Sequence, residues 1–127
     1  MSDHAPVILI IDNDEGVVGA LRARLESMGY ACVTAGTGGQ GLAAFDERSI
    51  DLVITDLNMP AGDGVTFAQE VRRTSDVPII VVTGFREDYR SSMHGIENLT
   101  VLDKPFETGA LLELVEAELA MRGVSPP

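Results

Sequence analysis

Short apolar segments alternate with helix-like segments along the chain. The first, Val7-Ile-Leu-Ile-Ile11, is unbroken and β-branched, which is typical of a central strand buried on both faces. Four further segments share this character and are predicted strands: 31–35, 52–55, 77–83 and 99–102. Because such strands recur between helical segments, the pattern predicts a parallel sheet covered by helices on both sides.

The segments between the strands favour helices. Val17, Leu21, Leu25 and Met28 are spaced by four, four and three residues, so they share one helical face, which ends before Gly29. Further helices are predicted after the glycine-rich segment 36–41, after the loop 58–64, around 88–93, and at the C-terminal end, where Thr108 is expected to be the N-cap.

Five strands and five helices in this order predict a doubly wound α/β domain. It is expected to have a flavodoxin-like sheet with strand order 2-1-3-4-5. The domain is predicted to span residues 1–122, and residues 123–127 are expected to be a tail or the start of a linker. The chain is therefore either a single-domain protein or a fragment of a larger one.

The composition narrows the classes of function. In 127 residues, 45% are hydrophobic and 23% are charged, which suffices for a folded core. The net charge of -11, without any basic cluster, argues against nucleic-acid binding by this domain. A single cysteine, Cys32, and the absence of a membrane-length apolar run predict a cytoplasmic protein without disulfides or membrane contact.

Polar residues follow the predicted strands. Asp12 and Asn13 follow the first strand, Asp56 the third, Thr83 ends the fourth, and Lys104 follows the fifth. In doubly wound sheets these positions meet at one edge. Adjacent carboxylates suit Mg²⁺, and an added ammonium and hydroxyl suit phosphoryl transfer, for which an aspartate is a competent nucleophile. Each acid alone is also common turn or helix-cap chemistry, so the combination carries the interpretation.

The chain resembles the response-regulator receiver domains of two-component signalling. The resemblance rests on segments 7–15, 51–60 with Gly62 and Gly64, 78–84, and 103–106. It implies that Asp56 accepts a phosphoryl group from a sensor histidine kinase or a histidine phosphotransfer protein. Thr83 and Lys104 would then bind the phosphoryl group.

The same resemblance implies a metal site and an output. The implied ligands of Mg²⁺ are Asp12, Asn13, Asp56 and the backbone carbonyl of Asn58. The bond before Pro105 is expected to be cis. Gly84 is expected to leave access to the site open, and Asn58 to border the path of the attacking water. Such a domain catalyses only its own phosphorylation and dephosphorylation, and acts on a downstream effector protein or a fused output domain.

Two positions depart from the usual receiver pattern. Receivers usually end the first strand with two acids, whereas this chain has Asp12 and Asn13. They commonly carry an aromatic residue three positions before the lysine, and here that position is Val101. These differences predict weaker Mg²⁺ binding and altered switching. They leave open an alternative, a pseudo-receiver that acts as a phosphorylation-independent protein-binding module.

Two other classes of function compete with this interpretation. Gly36-Thr-Gly-Gly-Gln-Gly41 matches the G-x-G-x-x-G pattern of dinucleotide-binding proteins, but it follows the second strand, whereas the fingerprint normally follows the first. A haloacid-dehalogenase-type phosphatase also uses an aspartate nucleophile. That family requires a second aspartate two residues later, where this chain has Asn58.

Overall fold

Five parallel strands form one sheet in the computed structural model of the protein, which describes residues 5–56, 63–84, 95–125 and 127. The strand order is β2-β1-β3-β4-β5, which confirms the predicted order. The strands are β1 (Val7–Ile11), β2 (Ala31–Ala35), β3 (Leu52–Asp56), β4 (Ile79–Thr83) and β5 (Leu99–Asp103).

The described part of the chain contains four helices instead of the five expected. They are α1 (Glu15–Ser27), α2 (Gly38–Glu47), α3 (Asp63–Arg72) and α4 (Thr108–Met121). The helix predicted around 88–93 falls outside the described residues. None of these four helices has the length and apolarity that a membrane span requires.

The sheet is buried between two hydrophobic layers because successive side chains of each strand point to opposite faces. On one face, Ile8 and Ile10 pack with Leu25 of α1 and Leu111 of α4. On the other, Leu9 and Ile11 belong to the layer that includes Phe67 of α3. Both faces are covered, as the continuous apolar strands predict.

Several element boundaries differ from expectation. β3 and β5 each extend one residue further than predicted, α2 begins at Gly38 within the glycine-rich segment, and α3 begins at Asp63 within the predicted loop. β4 begins at Ile79 and not at Val77, and Pro78, which has no N–H to donate, accepts a hydrogen bond from Val53 (3.0 Å) instead. The prediction that Thr108 caps α4 is wrong. Glu107 occupies the N-cap position with extended backbone and no side-chain cap, and Thr108 is the first helical residue.

The glycine-rich segment after β2 starts a helix. Thr37 Oγ1 accepts a hydrogen bond from the Gln40 N–H (3.1 Å), and Gln40 Oε1 accepts one from the Gly36 N–H (3.0 Å). A Cβ at Gly41 would lie 2.5 Å from Cδ1 of Ile11. The G-x-G-x-x-G pattern thus has two structural roles here. It caps the start of α2 through the N–H groups of Gly36 and Gln40, and it lets α2 pack closely on β1.

Candidate functional site

Two buried carboxylates lie side by side at the carboxyl edge of the sheet. Ile11 pairs with Thr55 in the β1–β3 register, so the next residues, Asp12 and Asp56, are neighbours. Asp12 is 8% exposed and Asp56 is 6% exposed. The apolar strands carry both acids to this edge and bury them, which makes their mutual repulsion stronger than it would be in water.

Lys104 supplies the positive charge of the site. Its Nζ lies 3.0 Å from Oδ2 of Asp56. Its backbone N–H donates to the carbonyl of Thr83 (2.8 Å), which continues the β4–β5 pairing one residue beyond β5. The Lys104-Pro105 bond is cis, as the resemblance implies. The backbone therefore holds the ammonium beside the end of β4 and next to Asp56.

The environment of Asp12 is short of positive charge. Burial raises the pKa of Asp12, and the negative charge of Asp56 acts in the same direction. The hydrogen bond from the Asp14 N–H to Asp12 Oδ1 (2.9 Å) and the charge of Lys104 oppose this effect without cancelling it. A divalent cation bound at this edge of the sheet would relieve the same imbalance.

Asp14 does not take the place of the missing second acid. Its Oδ1 accepts hydrogen bonds from the N–H groups of Gly16 (2.9 Å) and Val17 (3.2 Å), so it is the N-cap of α1. Asn13 is exposed and directly follows Asp12. The residue after Asp12 therefore has an amide side chain, and the nearby carboxylate of Asp14 already accepts hydrogen bonds from the start of α1.

The side chains at this edge of the sheet suit Mg²⁺, although they offer it few negative charges. Among the described residues, no three His, Cys, Asp or Glu side chains are grouped as a metal site. Asp12 and Asp56 would provide carboxylate oxygens to a bound ion, and Asn13, the next residue after Asp12, would provide an amide oxygen. Mg²⁺ is commonly held by one or two carboxylates while it keeps several waters, so this set is sufficient and low in charge.

The remaining predicted residues are placed as follows. Thr83 is the last residue of β4 and is completely buried. Gly84 is exposed, and a Cβ there would meet no atom of the described residues within 4 Å; its expected role in access to the site stays a prediction. Val101 is half-buried in β5, paired with Val81. Asn58 lies outside the part of the chain that the structure describes, so its expected roles stay predictions.

The sequence matches the family model for the response regulator receiver domain over residues 8–116. The chain belongs to this family. It is 31% identical over 121 residues to the transcriptional regulatory protein GlrR of Escherichia coli (strain K12), covering 91% of this chain and 27% of that protein. It is 40% identical over 90 residues to the probable transcriptional regulator ycf27 of Cyanidium caldarium, covering 71% and 36%. This receiver thus spans about a third of the length of these relatives.

Solved receiver structures match nearly the whole chain. A CheY-like receiver domain from Methanospirillum hungatei JF-1 superposes with a TM-score of 0.84 at 25% identity, covering 94% of this chain and 97% of that one. A receiver domain from Clostridium thermocellum gives a TM-score of 0.82 at 28% identity, covering 93% and 97%. The protein is therefore a receiver, a signalling module of two-component systems.

The sequence did not indicate that two apolar side chains, Val17 and Phe106, lie beside Asp56 and Lys104. Val17 of α1 and Phe106, which follows the Lys104-Pro105 turn, line one pocket whose lining also includes Asp56 and Lys104. Both apolar side chains are half-buried. Their positions in the sequence could have indicated this, because each follows a loop that contains a residue of the site. The sequence could also have predicted that Asp14 is the N-cap of α1, because it directly precedes Glu15, the acidic first residue of the helix.

Proposed function

We propose that this receiver accepts a phosphoryl group on Asp56 from the phospho-His of a sensor histidine kinase or a histidine phosphotransfer protein. The observation that carries the proposal is the Asp56 carboxylate, buried at the end of β3, with Lys104 Nζ at 3.0 Å and Asp12 adjacent. An aspartate in this setting has the two things that an acceptor needs, a nucleophilic oxygen and a cation to neutralise the incoming group.

The transfer follows from these groups. An Asp56 oxygen attacks the phosphorus, and the O–P bond forms as the P–N bond to the donor imidazole breaks, its electron pair returning to the ring nitrogen. Lys104 and the Thr83 hydroxyl neutralise and orient the phosphoryl oxygens. In hydrolysis, water attacks the phosphorus and the Asp56 carboxylate leaves. Asp12, Asn13, Asp56 and the Asn58 carbonyl would hold Mg²⁺, and the bound ion would supply further positive charge.

We place the domain upstream of an effector. The curated relatives named above carry the names of transcriptional regulators and are longer than this chain, which covers only 36% and 27% of their lengths. A downstream effector protein or a fused output domain is therefore the proposed target, in the cytoplasm, and this domain itself does not contact nucleic acid. The strongly negative charge supports that last point, because phosphate backbones are bound by Lys and Arg.

Intact-mass spectrometry after incubation with phosphoramidate and Mg²⁺ tests the acceptor. We expect one added phosphoryl group that disappears over time as the acyl phosphate hydrolyses. The matched variant is Asp56→Asn, which keeps the size and removes the nucleophile. An adduct that forms equally on the asparagine variant would contradict the proposal.

Asn13 supports a second candidate, a binding module that works without phosphorylation. It places an uncharged amide where a further carboxylate would strengthen the metal site. The Asp56 to Lys104 ion pair favours the phosphoacceptor instead. Folded protein that gives no adduct at any Mg²⁺ concentration would favour the second candidate.

The Asn13→Asp variant is expected to bind Mg²⁺ about tenfold more tightly, because one carboxylate is added to a site that has two. Titration by calorimetry measures the affinity directly, without any phosphodonor. Gln69→Glu is the control, since it adds the same charge at an exposed position of α3. Equal affinities of Asn13→Asp and the original protein would contradict the proposed role of Asn13.

A further inference from the structure

Arginines and carboxylates are segregated between the two ends of this receiver. Every arginine in residues 5–56, 63–84 and 95–125 lies in the second half of a helix or just after one: Arg22, Arg24, Arg48, Arg72, Arg73 and Arg122. Helices that connect parallel strands run antiparallel to them, so these positions are at the end remote from Asp56. The arrangement also complements the negative C-terminal ends of the helices.

The end that contains Asp56 is acidic. We call it the rim and define it by the charged residues at the ends of β1, β3 and β5 and at the adjoining starts of α1 and α4: Asp12, Asp14, Glu15, Asp56, Asp103, Lys104 and Glu107. Lys104 is the only cation in this set. The undescribed segments 57–62 and 85–94 contain two arginines and two acids, so their formal charges cancel.

Helix dipoles offset only part of this charge. Each helix N-terminus contributes roughly half a positive charge. The four helices therefore balance about two of the rim carboxylates, and Lys104 balances one more. The rim remains negative around the proposed acceptor, and four of its carboxylates are exposed to an approaching molecule: Asp14, Glu15, Asp103 and Glu107.

Apolar surface lies within the rim. Val17 follows the acids at the start of α1, and Phe106 lies between Lys104 and Glu107. Both are half-buried and line the same pocket as Asp56. A partner that reaches Asp56 therefore meets an apolar patch bordered by exposed carboxylates on two sides.

We propose that the rim selects the phosphodonor by charge, so that the donor of this receiver is a protein with a Lys- and Arg-rich surface around its phospho-His. The inference rests on the proposed function of Asp56. A cationic donor surface is steered toward the rim, which raises its association rate. A free anionic phosphodonor carries only negative charge into the same field and is repelled.

Two synthetic peptides test the proposal, each with one phospho-His, flanked by lysines in one and by glutamates in the other. Phosphorylation of the receiver is followed by intact mass. At low ionic strength we expect the lysine peptide to react at least about tenfold faster. The ratio should fall toward one near 1 M salt, where the Debye length is about 3 Å. Equal rates at low ionic strength, or a faster glutamate peptide, would overturn the proposal.

A triple variant assigns the effect to the rim. Asp14→Asn, Glu15→Gln and Glu107→Gln remove three exposed charges, and asparagine keeps the N-cap of α1. We expect this variant to lose most of the preference for the lysine peptide and to react several-fold faster with acetyl phosphate at low salt. The control, Asp46→Asn, Glu47→Gln and Glu97→Gln, removes three exposed charges at the opposite end and should keep the preference. Equal loss in the control would show that net charge alone matters.

Failure of the proposed function is distinguishable from failure of this inference. If phosphoramidate and both peptides leave Asp56 unmodified, the phosphoacceptor function fails. Binding of the unphosphorylated lysine peptide then tests the rim, through the amide NMR shifts of Asp14, Glu15 and Glu107. Salt-sensitive shifts concentrated at these residues support charge selection, and unchanged shifts overturn it.

Discussion

Replacing Lys104 by arginine is expected to leave the fold intact and to slow phosphorylation of Asp56 by about 10- to 100-fold. The Nζ atom of Lys104 lies 3.0 Å from Oδ2 of Asp56, whose side chain is only 6% exposed. A guanidinium keeps the charge, but it is planar and larger than an ammonium, so its positive charge cannot occupy the same point. Intact-mass time courses with phosphoramidate measure the rate.

A reverse exchange at another position serves as the control, because it shows what an exchange between lysine and arginine does away from the site. Lys104 is the only lysine of the chain, among eight arginines. Arg24→Lys makes the reverse exchange at an exposed position of α1 and should leave the rate unchanged. Chemical denaturation should give both variants the stability of the original protein within about 1 kcal/mol, because each exchange keeps the positive charge and the Lys104 side chain is 35% exposed. An arginine variant that reacts at the original rate would contradict the role given to Lys104.

Gly41→Val is expected to lower the free energy of unfolding by about 3 kcal/mol. A Cβ at this position would lie 2.5 Å from Cδ1 of Ile11 and 3.2 Å from Cε1 of Phe67. Ile11 and Phe67 are 1% and 0% exposed, so neither has open space to move into. The gain in helix propensity over glycine is only a few tenths of a kcal/mol and does not compensate.

Gly19→Val is the control for this effect. Gly19 lies inside α1, and a Cβ there would meet nothing within 4 Å. Its valine variant should keep the original stability within about 0.5 kcal/mol. Urea denaturation of the two variants gives the comparison. Equal stabilities would mean that Gly41 is not required for packing, and would reopen a binding role for the glycine-rich segment.

The layout of the site was predictable because it depends on strand order alone. Continuous apolar segments mark the buried strands, and parallel strands bring the residues that follow them to one edge. That reasoning placed Asp12, Asp56 and Lys104 at the correct edge before any contact was known. The direct ion pair between Asp56 and Lys104, which are 48 residues apart, depends on side-chain geometry that the pattern does not contain.

Two features could not be predicted from the sequence pattern: the exact start of α4 and the partners of Arg72. The α4 cap lies one residue before the predicted Thr108, because the extended backbone of Glu107 sets the helix start, and composition does not resolve such a shift. Arg72 donates to three backbone carbonyls, at 2.8 to 3.1 Å: those of Ser75, Glu97 and Asn98. In sequence it resembles an ordinary helix-end arginine. Its partners near β5 become visible only in the folded chain.

The most direct test of the account is to locate the phosphoryl group. The protein is phosphorylated with phosphoramidate and Mg²⁺ and then treated with borohydride, which reduces an aspartyl phosphate to homoserine with release of phosphate. Tandem mass spectrometry of the digested protein reads the modified position. We predict homoserine at residue 56 and aspartate at residues 12 and 14. Unreduced Asp56 in protein that carries the phosphoryl group, or homoserine at another aspartate, would contradict the account.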